Sequence, residues 1–178
     1  PQLPGGNPAW TYMVESPFGT FAIFVGHVEN GPPHPFEVWV NGAEQPRGLG
    51  AVAKTLSMDM RAQDKAWLRM KLDMLARTAG DDAFDCPLPP KGKPTRVPSM
   101  VAAFARIVRW RVDQLGALSK DGGASPVLDA LFAKKEPKTG TDGTMSWTVD
   151  VYNPSSGDDF VLILKELVLP SGQRRPYS

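Results

Sequence analysis

The chain has few of the residue types on which most enzyme and metal sites depend. Its 178 residues include one cysteine, Cys86, and two histidines, His27 and His34. A single cysteine excludes an internal disulfide and a thiolate metal cage, and it suits a reducing compartment such as the cytoplasm. The histidines lack the H-x-H or H-x-x-x-H spacing of a metal site, and we expect them to be solvated surface groups. Without a base no nucleophile can be assigned, so we expect no catalytic residue, metal or cofactor in this chain.

Strong charge of one sign and long apolar runs are also absent. The formal net charge is +1, which gives no bulk attraction for nucleic acid or for an anionic membrane. No apolar run approaches the roughly 20 residues of a membrane span. The first residues, Pro1–Gly6, have no signal-peptide pattern and no initial methionine, so we expect a piece of a longer protein. The sequence therefore predicts no membrane partner.

Eighteen prolines and 17 glycines divide the chain into short apolar segments. Residues 1–9 are predicted to be a leader or linker. Two segments rich in aromatic and β-branched residues, Trp10–Ser16 and Thr20–Glu29, predict a hairpin. Phe36–Val40 alternates between apolar and polar residues and predicts a third strand.

Helical periodicity begins after the third strand. A stripe of apolar residues at helical spacing, starting at Leu49 and ending at Met60, predicts the first helix. The second is predicted over Asp64–Thr78, with Asp64 as its N-cap. Apolar residues cover more than half of its circumference, so we expect this second helix to be central or packed on two sides.

A loop is predicted over Asp81–Pro98. The third helix is predicted over Ser99–Leu115, with Ser99 as its N-cap, and a short helix follows from Ser125 to about Ala133. Together these elements predict an α+β fold in which an antiparallel sheet packs against three main helices.

The end of the chain repeats its beginning. Trp147-Thr148 matches Trp10-Thr11, and Phe160–Leu164 takes the place of Phe21–Val25. We therefore predict a first repeat over 10–133, a linker over 134–146, and the N-terminal hairpin of a second repeat over 147–178.

One glycine-rich segment comes close to a phosphate-binding loop. Gly48–Thr55 departs from the pattern G-x-x-x-x-G-K-[ST] because Ala53 replaces the second glycine, so nucleotide hydrolysis is not favoured. A weaker hypothesis is that Arg47 and the amides of Gly48 and Gly50 hold an anion at a helix N-terminus. The alternative is a glycine turn that leads into a helix capped by solvent.

The third helix has a second apolar strip opposite its core stripe. The strip consists of Ala103, Ile107 and Trp110, and Arg106 is among the arginines beside it. Such a strip indicates contact with something else. Three interpretations stay open: burial under another part of the same domain, an interface with a partner formed by Ala103, Arg106, Ile107 and Trp110, or binding of single-stranded nucleic acid.

Three segments have a combination of residues typical of one family: Trp10–Phe21, Pro35–Val40 and Pro46–Leu49. They resemble a domain found near the C-terminus of adenosylcobalamin-dependent ribonucleotide reductases and named for a Thr-Ser-Cys-Pro-Asp motif. The resemblance covers about residues 10–118 and again 147–178. Thr95–Ser99 is similar to the motif in its Thr and Pro, but Val97 and Ser99 replace its Cys and Asp. Cys86-Pro87 resembles an earlier Cys-Pro of the family.

The resemblance implies a parent enzyme that reduces ribonucleotides to deoxyribonucleotides with a cobalamin-derived radical and electrons from thiols. Adenosylcobalamin would belong to that parent and not to this chain, which lacks the residues for a catalytic barrel. The chain would be an accessory, non-catalytic domain whose partner is the reductase catalytic domain or a second copy of itself. The alternative function is a small-anion or single-stranded nucleic-acid binding module.

Overall fold

A computed structural model describes residues 5–29, 31–42, 48–120, 123–132, 146–168 and 171–176. The chain divides into two compact units, Pro1–Leu131 and Phe132–Ser178. Most of the predicted linker over 134–146 and part of the predicted leader over 1–9 lie outside the described residues. No helix in the described part of the chain has the length and apolarity that a membrane span requires.

The first unit is built on an antiparallel sheet of three strands in the order β1-β2-β3. The strands are β1 (Ala9–Ser16), β2 (Gly19–Val28) and β3 (His34–Asn41), as the sequence predicts. Alternate residues point to opposite faces of a strand. One face therefore collects a set of side chains that are at most 2% exposed, which are Val14, Phe21, Ile23, Val25 and Val38.

The helices of this unit are α1 (Leu49–Ala62), α2 (Lys65–Leu75), α3 (Met100–Gln114) and α4 (Pro126–Phe132). Both predicted N-caps of the main helices are confirmed. The Asp64 carboxylate accepts a hydrogen bond from the amide of Trp67 at 3.0 Å, and the Ser99 hydroxyl accepts one from Ala102 at 3.0 Å. The predicted α+β class, an antiparallel sheet with helices packed against it, is confirmed.

The predicted loop over Asp81–Pro98 is wrong, because this segment forms an antiparallel hairpin. Its strands are β4 (Phe84–Leu88) and β5 (Lys93–Val97). The prolines that suggested a loop are tolerated because a two-stranded ribbon has only edge strands. Burial of Phe84, Cys86 and Val97 in the core holds the hairpin against the rest of the unit.

The second helix is not central, and its main contacts are with α3 and, to a smaller extent, with α1. Helix α2 buries only Ala66, Leu68 and Leu72, and Met74 is 64% exposed. Helix α3 occupies the centre, since it contacts α2, β2, β3, β4 and β5. Its small side chains allow neighbours to approach on several sides. Its buried residues are Met100, Ala102, Ala103, Phe104, Ala105, Ile107, Val108 and Val112.

The second unit is a separate antiparallel sheet in the order β6-β7-β8. Its strands are β6 (Ser146–Asn153), β7 (Asp158–Val168) and β8 (Arg174–Pro176). The sequence predicted a hairpin alone, so β8 is an additional element. Trp147 pairs with Leu164 as Trp10 pairs with Val25, and these are equivalent positions of the predicted repeat.

Candidate functional site

Two of the four residues predicted to form an interface on α3 are buried within the first unit. Ala103 is 0% exposed and Ile107 is 2% exposed, and both belong to its hydrophobic core. Trp110 is half-buried, and its ring meets the ring of Tyr12 edge to face at 6.4 Å between centroids. Of the three interpretations, burial within the same unit is therefore the one that applies to Ala103 and Ile107. Neither side chain is accessible to a partner.

The arginines around Trp110 contact other groups of the first unit. Arg106 Nε donates a hydrogen bond to the carbonyl oxygen of Ala76 at 3.2 Å, near the C-terminus of α2. Arg109 Nε lies 2.5 Å from an Asp73 carboxylate oxygen, and the Arg111 guanidinium lies 4.3 Å from the centre of the Trp10 ring. These contacts join α3 to α2 and to β1, so the arginines have structural roles.

Shallow grooves lie on both sides of Asp73, between α2 and its neighbours. One has a volume of about 490 Å³ and includes Arg69, Arg77 and Lys120. The other, of about 400 Å³, includes Arg77, Arg106 and Arg109. Arg69 Nε also lies 3.7 Å from an Asp73 carboxylate oxygen. The negative charge of Asp73 therefore partly neutralises the basic side chains that line the two grooves.

The predicted anion site is only partly described, because Arg47 lies outside the described residues. Gly48 precedes α1 with φ of 79°, a left-handed conformation that favours glycine. Its carbonyl oxygen accepts hydrogen bonds from the amides of Ala51 and Val52, each at 3.1 Å. Helix α1 has no side-chain N-cap. The anion site at Arg47, Gly48 and Gly50 stays a prediction.

Gly50 instead lines a wide groove between β3 and α1, which sequence reasoning did not find. This β3–α1 groove has a volume of about 820 Å³, and its walls also include Trp39, Lys54, Met58 and Arg61. A Cβ atom at Gly50 would meet no atom of the described neighbouring elements within 4 Å, so their packing does not require glycine there. Glycine costs a helix about 1 kcal/mol relative to alanine.

The β3–α1 groove combines exposed apolar side chains with charge. Trp39 is 59% exposed and Met58 is 68% exposed. Arg61 lies 3.9 Å from the Glu37 carboxylate and 4.4 Å from the centre of the Phe36 ring. The strand alternation of Glu37, Val38 and Trp39 predicts that Trp39 points away from the core. Its position beside α1 depends on packing that the sequence does not reveal.

The thiol of Cys86 is inaccessible. Its residue is 1% exposed on β4, where it pairs with Thr95 of β5. Burial raises the pKa of this thiol, and the positive charge of Arg106 only partly offsets that effect. In the described part of the chain, no group of three or more His, Cys, Asp or Glu side chains is placed to hold a metal ion.

The two histidines occupy different environments. His27 is 7% exposed, which corrects the expectation of a solvated group, and its Nε2 lies 3.2 Å from the Glu29 carboxylate. His34 is partly buried, and its Nε2 lies 3.3 Å from the Gln63 side-chain amide.

The segment that resembles the Thr-Ser-Cys-Pro-Asp motif crosses from β5 to α3. Val97 ends β5 fully buried, and Ser99 caps α3 while donating a hydrogen bond to the carbonyl of Thr78 at 2.7 Å. These two positions therefore carry a packing and a capping role. No protein family, curated protein or solved structure matches the chain.

Proposed function

We propose that this chain is an accessory, non-catalytic part of an adenosylcobalamin-dependent ribonucleotide reductase and that it acts through protein contacts. The observation that carries the proposal is where the resembling segments lie. Trp10–Phe21 and Pro35–Val40 make up most of the sheet β1-β2-β3, and Gly48-Leu49 leads into α1. The resemblance therefore coincides with a folded unit that has its own core. The single cysteine suits a cytoplasmic location, which is part of the proposal.

A reductase exchanges electrons through accessible thiols, and Cys86 is poorly suited to that task. Its sulfur is buried, and burial raises its pKa, so the reactive thiolate is disfavoured at neutral pH. This supports an accessory role for the chain. Adenosylcobalamin would belong to the parent enzyme.

We expect the purified chain to form no deoxyribonucleotide when adenosylcobalamin, ribonucleotide and a dithiol are supplied. The physical reason is the lack of an accessible thiol or a nearby base. The measurement is product formation by chromatography, with a no-protein sample as the control. Product above that control would contradict the proposal that the chain is non-catalytic.

The β3–α1 groove is the surface that we assign to the catalytic domain of the reductase. Exposed Trp39 and Met58 supply apolar anchors, and Lys54 and Arg61 supply charge at the rim. Calorimetric titration of the isolated catalytic domain with this chain tests the assignment. Met58→Ala should weaken binding at least about threefold, whereas Met74→Ala, a comparably exposed methionine on α2, should not.

Single-stranded nucleic acid is the alternative ligand, and the contacts of the arginines favour it less. Arg106, Arg109 and Arg111 are bonded to or stacked on groups of the same unit. A steep loss of single-stranded DNA binding with rising salt, together with no binding to the catalytic domain, would favour the alternative.

A further inference from the structure

We draw no further inference here: the strongest candidate, the half-exposed apolar face that the Trp147–Leu164 and Val149–Leu162 pairs form on the second sheet, carries none because nothing in the described residues shows what covers it.

Discussion

At the scale of single residues, Cys86 shows how burial controls chemistry. Its residue is 1% exposed, and burial raises the pKa of its thiol. We expect the folded chain to react with an aromatic disulfide reagent far more slowly than a free thiol does, and the urea-unfolded chain to react at the ordinary rate. Reaction of the folded chain at the unfolded rate would contradict the buried position.

Asp64 joins two helices through one carboxylate. One oxygen accepts the amide of Trp67 at 3.0 Å, and the other accepts the hydroxyl of Ser125 at 2.6 Å, just before α4. Desolvation is the largest single effect and raises the pKa of Asp64. The hydrogen bonds from Ser125 and the backbone together outweigh it, so the net pKa lies below the ordinary value.

A lowered pKa in the folded state makes Asp64 stabilising above its unfolded pKa, and this contribution is lost as pH falls through the folded pKa. We expect Asp64→Ala to lower the free energy of unfolding by about 1–2 kcal/mol at neutral pH, as loss of an N-cap does. The difference from the unaltered chain should shrink in acid. Asp85→Asn, at an exposed aspartate of β4, is the control, and urea titrations across the acid range provide the measurement.

Residue types alone identify some of these roles but not others. Asp64 and Ser99 are recognisable as N-caps because they precede apolar periodic segments. Ala103 and Ile107 were correctly placed on one strip of α3, but the sequence does not reveal what covers that strip. The sequence also gives no sign that Trp39 and Met58 lie along one groove, because 18 residues of chain separate them.

At the scale of elements, α1 covers the open edge of β3. The hydroxyl of Ser57 accepts the Val38 amide at 2.9 Å, and it lies 2.9 Å from the Ala53 carbonyl and 3.2 Å from that of Val38. A sheet edge left with unpaired amides invites pairing with other chains. Ser57, in the middle of α1, thus supplies the acceptor that the Val38 amide lacks at the edge of the sheet.

We expect Ser57→Ala to lower the free energy of unfolding by about 1–3 kcal/mol, because the Val38 amide would be buried without an acceptor. Thr55→Ala, two residues earlier in the same helix, should change it by less than about 0.5 kcal/mol, since that hydroxyl is exposed and donates to the Val52 carbonyl of its own helix. Chemical denaturation of both variants gives the comparison. Equal effects would mean that the edge contact contributes nothing.

The sequence predicted those strands and helices in which apolar residues recur at regular spacing. The strands of the first sheet and helices α1 and α3 have long apolar alternation or stripes, so burial and local pattern agree. The hairpin β4–β5 was missed because Pro87 and Pro94, which face each other across its strands, read as loop residues. The central place of α3 was missed because alanines give a weak apolar signal, although their small size permits the closest packing.

At the scale of the whole molecule, the buried core formed by the described residues lies in the first unit. Its members run from Val14 to Leu118 and include residues of the first sheet, of the β4–β5 hairpin and of helices α1, α2 and α3. The described apolar residues of the second sheet are mostly exposed. The first unit should therefore keep its stability when the second sheet is removed.

We expect a chain that ends at Phe132 to melt within about 4 °C of the full chain, a shift worth about 1 kcal/mol in a domain of this size. Calorimetry on both lengths provides the measurement. If the second sheet instead contributes to the stability of the first unit, truncation will lower the melting temperature well beyond that limit. A truncated chain that melts as the full chain does assigns the folding stability to the first unit, whose core residues run from Val14 to Leu118.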